Sequence, residues 1–205
     1  MKKAYNKLTN GMYLLSTKAD KEAGCIVNTF EQVASNPELV IVAVNKKNYT
    51  CLQIQKSKKF NVTVLKEDAD IEIINKFGFT TSKFEDKYKG YDKKYDLLKL
   101  PYIEKDMTAL FSVRVKAEID AETHIVFLGE VSEAVLLSDD KPMTYDYYKQ
   151  EKKGITPPKA SSYQAQALVS GYKCDVCGYI YRGESLPVDY ICPICGQTHF
   201  TKITE

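Results

Sequence analysis

Four cysteines near the end of the chain are spaced for metal binding. Cys174 and Cys177 form one C-x-x-C pair, and Cys192 and Cys195 form a second. Two such turns, each followed by glycine, can supply a tetrahedral set of thiolates at about 2.3 Å from a metal ion. In a reducing compartment such pairs are typical of metal ligands rather than of disulfides. The spacing therefore predicts a metal centre and leaves iron and zinc both open.

The residues around these cysteines carry a more specific pattern. The first pair lies in C-x-x-C-G-Y-x-Y and the second in C-P-x-C-G. These motifs resemble rubredoxin over residues 171–201, in the short-gap form found at the end of rubrerythrins. The resemblance implies one iron that cycles between the ferric and ferrous states, with a structural zinc ribbon as the alternative. Because so small a module has little core of its own, the metal is expected to supply much of its folding free energy.

Polar side chains in the larger N-terminal part cluster where predicted strands meet helices or loops. Asn28 and Thr29 precede the apolar run at residues 39–44, and the polar segment at residues 45–50 follows it directly. A helix N-terminus with Asn, Thr and Lys donors suits a phosphate group. Simple capping of the helix, by the Thr50 hydroxyl, is the alternative. The chain has no G-x-G-x-x-G, P-loop or H-E-x-x-H motif, so those sites are not predicted.

The elements that must position these residues are mostly strands. Residues 39–44 form a continuous apolar run, typical of a strand buried on both faces. Residues 60–65 and 110–119 alternate apolar and polar side chains, which is typical of half-buried strands. A further strand is predicted over residues 123–137, and Gly129 in its middle indicates a bulge or bend.

Two short helices fit between these strands. One is predicted to begin after Thr50 and to carry Leu52 and Ile54. The other is predicted to begin near Asp68 and to place apolar residues 71, 74 and 77 on one stripe. Several strands with few, short helices favour a closed or nearly closed antiparallel barrel.

The composition changes after this domain. A stretch rich in proline, glycine and serine follows at residues 152–162, which is typical of a linker or of an extended arm that crosses the surface. The chain is therefore predicted to divide into a domain at residues 1–151, a linker at 152–168 and a metal-binding domain at 169–205.

Composition limits the classes of function. The 205 residues are 44% hydrophobic and carry a formal net charge of only +2, which does not favour nucleic acid or an anionic membrane as partner. The N-terminus has lysines without an apolar stretch behind them, so no secretory signal is predicted and a cytoplasmic protein is expected. The isolated Cys25 and Cys51 are interpreted as small core residues.

The order of the N-terminal segments resembles the flavin reductase family, the FMN-binding split β-barrels. The matching segments are residues 24–29 with Gln32, 44–50, 77–84, 123–130, 144–148 and 152–157. The resemblance covers nearly all of residues 1–158. It implies a mostly β split barrel with short helices, joined here to a small rubredoxin-like domain. Together the two parts resemble the high molecular weight rubredoxins.

The resemblance also implies roles for individual residues. His124 would face the flavin where nicotinamide docks, although a lone histidine on a strand is the alternative. Nine further residues would contact FMN, and they divide by the part of the cofactor that they contact. The residues at the isoalloxazine ring would be Asn28, Thr29 and Gln32, and those at the ribityl chain and phosphate would be Asn45, Lys46, Asn48, Thr50, Ser82 and Lys83.

The expected function is electron transfer from NAD(P)H through FMN to the iron and then to a redox partner, of the flavodiiron protein or rubrerythrin class. Because members of the flavin reductase family usually form dimers, the resemblance implies a homodimer. Two alternatives remain. One is a flavin or ferric reductase in which the metal module is incidental, and the other is a barrel that carries a zinc ribbon for binding.

Overall fold

The computed structural model describes residues 2–5, 7–152, 154–157, 159–162, 171–176, 178–181, 183, 185–193 and 196–203. No helix within these ranges is both long and apolar enough to cross a membrane. The helices are α1 (Lys2–Tyr5), α2 (Tyr49–Ser57), α3 (Ile71–Phe79) and α4 (Tyr145–Gln150). The strands are β1 (Tyr13–Lys18), β2 (Glu22–Val27), β3 (Phe30–Ser35), β4 (Glu38–Asn45), β5 (Lys59–Leu65), β6 (Lys93–Tyr95), β7 (Pro101–Ile103), β8 (Met107–Ala121), β9 (His124–Leu136), β10 (Gly171–Cys174), β11 (Ile180–Tyr181) and β12 (Phe200–Ile203).

Seven of these strands form an antiparallel sheet in the order β2-β1-β5-β8-β9-β4-β3. The strands at its two ends, β2 and β3, are joined through Asn28 and Thr29 alone. A connection of that length spans at most about 10 Å, so the sheet must curl until its edges approach each other. The predicted mostly β barrel with short helices is confirmed, and Asn28 and Thr29 lie at its seam.

Two apolar cores lie on either side of the sheet. The first fills the barrel and includes Leu15, Val42, Phe60, Val62 and Phe127. The second lies under α3 and α4, and it contains Met12, Leu65, Ile74, Phe77 and Tyr148. The second core fixes α3 against the outside of the barrel, so that the C-terminal end of this helix comes close to the seam.

The predicted burial of two strands was wrong. In β4 the residues alternate: Val40 and Val42 are buried, whereas Ile41 is partly exposed on the outer face. In β5 the polar residues Asn61 and Thr63 are buried along with their apolar neighbours. Both find partners inside the protein, since Asn61 donates to the Asp96 carboxylate and Thr63 to the Leu14 carbonyl oxygen.

The long hairpin of β8 and β9 departs from strict alternation. The pairing shifts register twice, and one shift falls beside Gly129, as predicted. A side chain at Gly129 would come within 2.3 Å of the Val113 side chain, which explains the glycine. Because of these shifts, Val113 is buried but Ala117 and Ile119 are exposed, so the predicted single apolar face over residues 110–119 does not extend along the strand.

The two predicted helices are present with different caps. The N-cap of α2 is Asn48, whose side chain accepts a hydrogen bond from the Thr50 amide, so the predicted cap at Thr50 was wrong. Ile54 is buried as expected, whereas Leu52 is exposed. Helix α3 is capped by Asp70 rather than Asp68, and it buries the predicted positions 74 and 77.

Candidate metal centre and cofactor cavity

The first C-x-x-C turn is a closed backbone loop. The Cys174 amide donates to the Tyr179 carbonyl oxygen at 2.8 Å, and the Gly178 amide donates to the Cys174 carbonyl oxygen at 2.9 Å. Gly178 has a φ of 79°, a left-handed conformation that favours glycine. The glycine after the cysteine pair is therefore required by the turn, as the sequence pattern indicated.

The second turn repeats the first. The Cys192 amide donates to the Gln197 carbonyl oxygen at 2.8 Å, and the Gly196 amide donates to the Cys192 carbonyl oxygen at 2.9 Å. Gly196 has a φ of 69°. Two turns with the same hydrogen bonds present their first cysteines in the same way, which is the arrangement that a tetrathiolate site requires.

Burial supports the same interpretation. Cys174 is 0% exposed and Cys192 is 1% exposed, and both belong to one buried cluster. The other two predicted ligands, Cys177 and Cys195, lie outside the described residues. Within the described part of the chain, no group of three or more Cys, His, Asp or Glu side chains is assembled for a metal. The donor chemistry and the paired turns fit a thiolate-bound ion such as iron.

A cavity of about 550 Å³ lies between the barrel seam, the end of α3, the linker arm and the cysteine module. Its size is within the usual range for small-molecule and cofactor sites. Six of the residues that line it show how the parts meet: Asn28, Asn48, Phe79, Thr81, Lys159 and Cys174. A predicted metal ligand and a predicted flavin contact therefore share one cavity wall.

Two predicted flavin contacts line this cavity directly. Asn28 is buried at the seam, and its amide donates to the Ser162 hydroxyl at 2.7 Å. Asn48 lines the cavity from the N-cap of α2. Thr29, next to Asn28, shares a 2.7 Å hydrogen bond with the Ser161 hydroxyl. The barrel thus brings together residues from the seam and from α2 that are distant in sequence.

Three other predicted contacts lie near the cavity without appearing in its wall. The Asn45 side chain accepts a hydrogen bond from the Lys47 amide at 2.9 Å. Thr50 is buried, and its hydroxyl makes no hydrogen bond within the described ranges. Ser82 is also buried and accepts a hydrogen bond from the Gly24 amide at 3.2 Å. Asn45 and Ser82 therefore support the local backbone in this structure, whereas the Thr50 hydroxyl does not.

The remaining predicted contacts are exposed and lie away from the described cavity wall. Gln32 is on β3 and donates to the Ala34 carbonyl oxygen. The Lys46 ammonium pairs with the Asp120 carboxylate at 2.6 Å. The Lys83 ammonium lies 5.1 Å from the centre of the Phe84 ring. The structure does not bring these three side chains together.

His124 begins β9 and contacts the linker arm. Its Nε2 lies 3.3 Å from the Lys159 carbonyl oxygen, and its Nδ1 lies 2.8 Å from the Thr123 hydroxyl. Because a carbonyl oxygen can only accept, Nε2 carries the proton in this contact. His124 therefore reaches the edge of the cavity through Lys159, which itself lines the cavity wall.

Sequence reasoning missed Phe79, Thr81 and the arm at residues 154–162. The first two lie in a segment that the family resemblance marked, where Ser82 and Lys83 were chosen instead. The segment was predicted as a linker or a surface-crossing arm without a role in the site, yet Ser161 and Ser162 hydrogen-bond the seam residues. Its proline and serine content carried no signal of that contact.

A buried lysine holds together two of the elements that form the cavity. The Lys87 ammonium donates to the Gly24 and Phe77 carbonyl oxygens, each at 3.0 Å. Burial lowers the pKa of Lys87 to about 8. Burial likewise raises the pKa of the nearby Cys25 thiol, and that of Cys51 to about 11, so both thiols are neutral near pH 7. That fits their interpretation as core residues.

Two family models match the chain. The model described as a flavin reductase like domain matches residues 5–156, and the model described as a rubrerythrin, rubredoxin-like domain matches residues 172–200. These matches follow the barrel and the cysteine module seen in the structure. The exact bounds of the domains and linker stay a prediction.

Individual relatives agree with the family models. High molecular weight rubredoxin from Moorella thermoacetica is 35% identical over 187 residues, covering 87% of this chain and 82% of that protein. Ferric-chelate reductase (NAD(P)H) from Archaeoglobus fulgidus is 33% identical over 161 residues, covering 78% and 95%. The solved structure of flavin reductase PheA2 in its native state matches with a TM-score of 0.59 at 30% identity, covering 69% of this chain and 88% of that chain. The chain therefore belongs to the flavin reductase-like family of oxidoreductases and, by its added rubredoxin-like domain, to the high molecular weight rubredoxins.

Proposed function

We propose that this protein takes electrons from NAD(P)H through FMN to an iron ion held by Cys174, Cys177, Cys192 and Cys195, and then passes them to a redox partner protein. The observation that carries the proposal is the shared cavity wall, in which Asn28 of the barrel seam and Cys174 of the cysteine module both take part. A site for a two-electron donor that adjoins a one-electron metal site would allow direct electron transfer between the two.

The residues around the cavity suit the parts of FMN. Asn28 and Thr29 at the seam would contact the edge of the ring, through the side chains that now hydrogen-bond Ser162 and Ser161 of the arm. Asn48 at the start of α2 would contact the ribityl chain or phosphate, where the helix dipole favours an anion. Lys159 adds a positive charge to the same wall.

The stoichiometry explains why both centres are needed. A hydride carries two electrons, whereas a tetrathiolate iron accepts one, so each hydride requires two rounds of iron reduction. A bound flavin supplies this conversion from two electrons to single electrons. The chain's own part is to hold the cavity beside the cysteines, to exclude water from Cys174 and Cys192, and to keep the arm against His124.

The partner is proposed to be a flavodiiron protein or a rubrerythrin, because an iron centre that takes up one electron at a time suits single-electron delivery to another protein. Delivery can be tested by mixing the reduced protein with each acceptor and following the return of the ferric spectrum. If reduced protein fails to transfer electrons to either class, this part of the proposal is wrong.

The protein is also proposed to form a homodimer through the outer face of β4, β9 and β8. Five apolar residues meet there across paired strands: Ile41, Ala43, Ile119, Val126 and Leu128. They are partly exposed or, for Ile119, 56% exposed. A continuous apolar patch of this kind is typical of an interaction surface.

Sedimentation of two variants would test the dimer. Ile119→Asp places a charge in the patch, and Leu136→Asp places the same charge on an exposed leucine at the other end of β9. We expect the first to be monomeric and the second to remain dimeric. Dimers of both variants would assign the interface to another surface.

Absorption spectroscopy and metal analysis of the purified protein test the proposed cofactors together. The proposal requires flavin bands and ferric–thiolate bands in one sample, with one iron per chain. Zinc in place of iron, with no yellow or red colour, would instead support a zinc-ribbon binding protein.

One specific observation favours a second candidate function, a ferric or flavin reductase in which the metal module is incidental. The Archaeoglobus relative named as a ferric-chelate reductase aligns over 95% of its own length. Cys174→Ser, which removes a predicted iron ligand, distinguishes the two. Ferric-chelate reduction that is unchanged in this variant would favour the second candidate.

A further inference from the structure

Phe79 has an unusual position at the end of α3. It is part of the barrel domain, yet its side chain belongs to the buried cluster that contains Cys174 and Cys192. It is only 5% exposed, and Ile155 of the arm packs against the same cluster. The barrel therefore supplies part of the apolar cover of two predicted metal ligands.

Helix geometry explains why Phe79 faces away from the core of its own domain. Phe77, two residues earlier, lies in the second core under α3. Two residues along an α-helix correspond to a rotation of about 200°, so Phe79 points to nearly the opposite side. Without the cysteine module, that direction would leave a large aromatic ring exposed.

The same ring also forms part of the cavity wall. Phe79 lines the cavity together with Asn28 and Thr81, and Cys174 lines it as well. Phe79 is thus placed where the barrel, the cavity and the cysteine module meet. A side chain there can fix how far the metal site lies from the cavity.

We propose that Phe79 is a positioning residue that seats the cysteine module against the barrel, so that Cys174 forms part of the cavity wall. Its consequence for electron transfer depends on the proposed function. In that step one electron moves from the reduced cofactor in the cavity to the ferric ion, which becomes ferrous. No covalent bond to the protein forms or breaks, and the proton that the cofactor loses on oxidation goes to solvent.

The first test uses fluorescence and requires no redox activity. The chain has no tryptophan, so Phe79→Trp introduces a single reporter at the contact. Phe84→Trp is the matched control, because Phe84 is 81% exposed in the loop after α3. Each full-length variant is prepared without flavin and loaded with either zinc or ferric iron.

The ferric–thiolate centre absorbs where tryptophan emits, whereas the zinc centre does not. We expect iron to remove most of the emission of Phe79→Trp relative to its zinc form, and to affect Phe84→Trp several-fold less. Equal quenching of the two variants would overturn the proposal. So would a Phe79→Trp emission maximum at the wavelength of water-exposed tryptophan.

The second test distinguishes the positioning of the cysteine module by Phe79 from the proposed electron transfer. In Phe79→Ala we expect the rate of iron reduction by the reduced flavin to fall by about 100-fold, the effect on a docking equilibrium of truncating a well-packed buried Phe. Phe79→Leu keeps an apolar side chain and should recover most of that loss. NAD(P)H oxidation with a soluble acceptor is measured in the same samples, so that the rate of iron reduction can be compared with it, and Phe84→Ala, at an exposed position outside the described cavity wall, should leave both rates unchanged.

The possible results are distinguishable. If the iron of the unmodified protein is not reduced at all, the proposed function fails while the fluorescence test of seating still stands. If the unmodified protein and Phe79→Ala reduce iron at the same rate, Phe79 does not position the module.

Discussion

The buried Lys87 offers a quantitative test of how the cavity elements are held together. Lys87 is 2% exposed, and its ammonium joins β2, through the Gly24 carbonyl, to α3, through the Phe77 carbonyl. β2 leads into the seam at Asn28, and α3 ends at Phe79. Replacing Lys87 by Met keeps much of the volume but removes both the charge and the two hydrogen bonds.

The magnitude follows from the change in pKa on folding. Burial lowers the pKa of Lys87 from 10.5 to about 8, and each pKa unit is worth about 1.4 kcal/mol. Below pH 8 the charged lysine therefore costs the folded state about 3 kcal/mol relative to an unperturbed lysine. Between pH 8 and 10.5 the unfolded chain binds more protons than the folded one, so the stability of the folded state rises with pH in this window.

The assay compares urea unfolding of the unmodified protein and Lys87→Met at pH 7 and pH 10. Groups that do not interact with Lys87 titrate equally in both proteins, so they cancel in the difference between the two free energies of unfolding. We expect that difference to shift by about 2 to 3 kcal/mol in favour of the unmodified protein as the pH rises. A difference that is independent of pH would refute the argument, because it would mean that Lys87 folds with an ordinary pKa.

Three further predictions concern the cap, the hairpin and the metal. Asn48→Ala should destabilise the protein by about 1 kcal/mol in urea unfolding, because the α2 cap is lost. Asn48→Asp should keep the cap but weaken FMN binding in a flavin titration, because it adds negative charge. Gly129→Ala should destabilise by about 1 to 3 kcal/mol, because its new methyl group would overlap Val113, while Gly78→Ala meets only ordinary contacts at 3.7 Å and should not destabilise. Removal of metal by a chelator, or Cys174→Ser, should abolish the ordered fold of the cysteine module but leave the barrel folded, as amide exchange would show.

Local pattern was enough to predict four of the seven strands in the barrel sheet, β4, β5, β8 and β9, and the two metal turns. A continuous apolar run located β4, and the glycines after each cysteine pair indicated the left-handed turns that Gly178 and Gly196 adopt. The burial of Asn61 in β5 could not be predicted, because its partner Asp96 comes from a distant loop. A polar residue in a strand normally indicates a solvent face, and only the folded structure shows an internal partner.

A residue of the candidate site could be predicted only where the sequence signal that marks it lies in the same segment of the chain. Asn28 was identified through the resemblance and does line the cavity. Phe79 could not be identified, since the residues that cover it, Cys174 and Cys192, are far away in sequence. The exposure of Ile119 could not be predicted either. The register shifts between β8 and β9 decide which face it lies on, because a bulge reverses the face of every residue beyond it.

The proposed electron transfer requires that the four cysteines hold an iron that is reduced by a flavin in the same assembly. Anaerobic stopped-flow mixing of the purified protein with NADH or NADPH tests it most directly, because flavin and ferric–thiolate bands can be followed in one trace. We expect the flavin bands to bleach first and the ferric bands to bleach afterwards without any added protein. Flavin that becomes fully reduced while the ferric bands persist would contradict it.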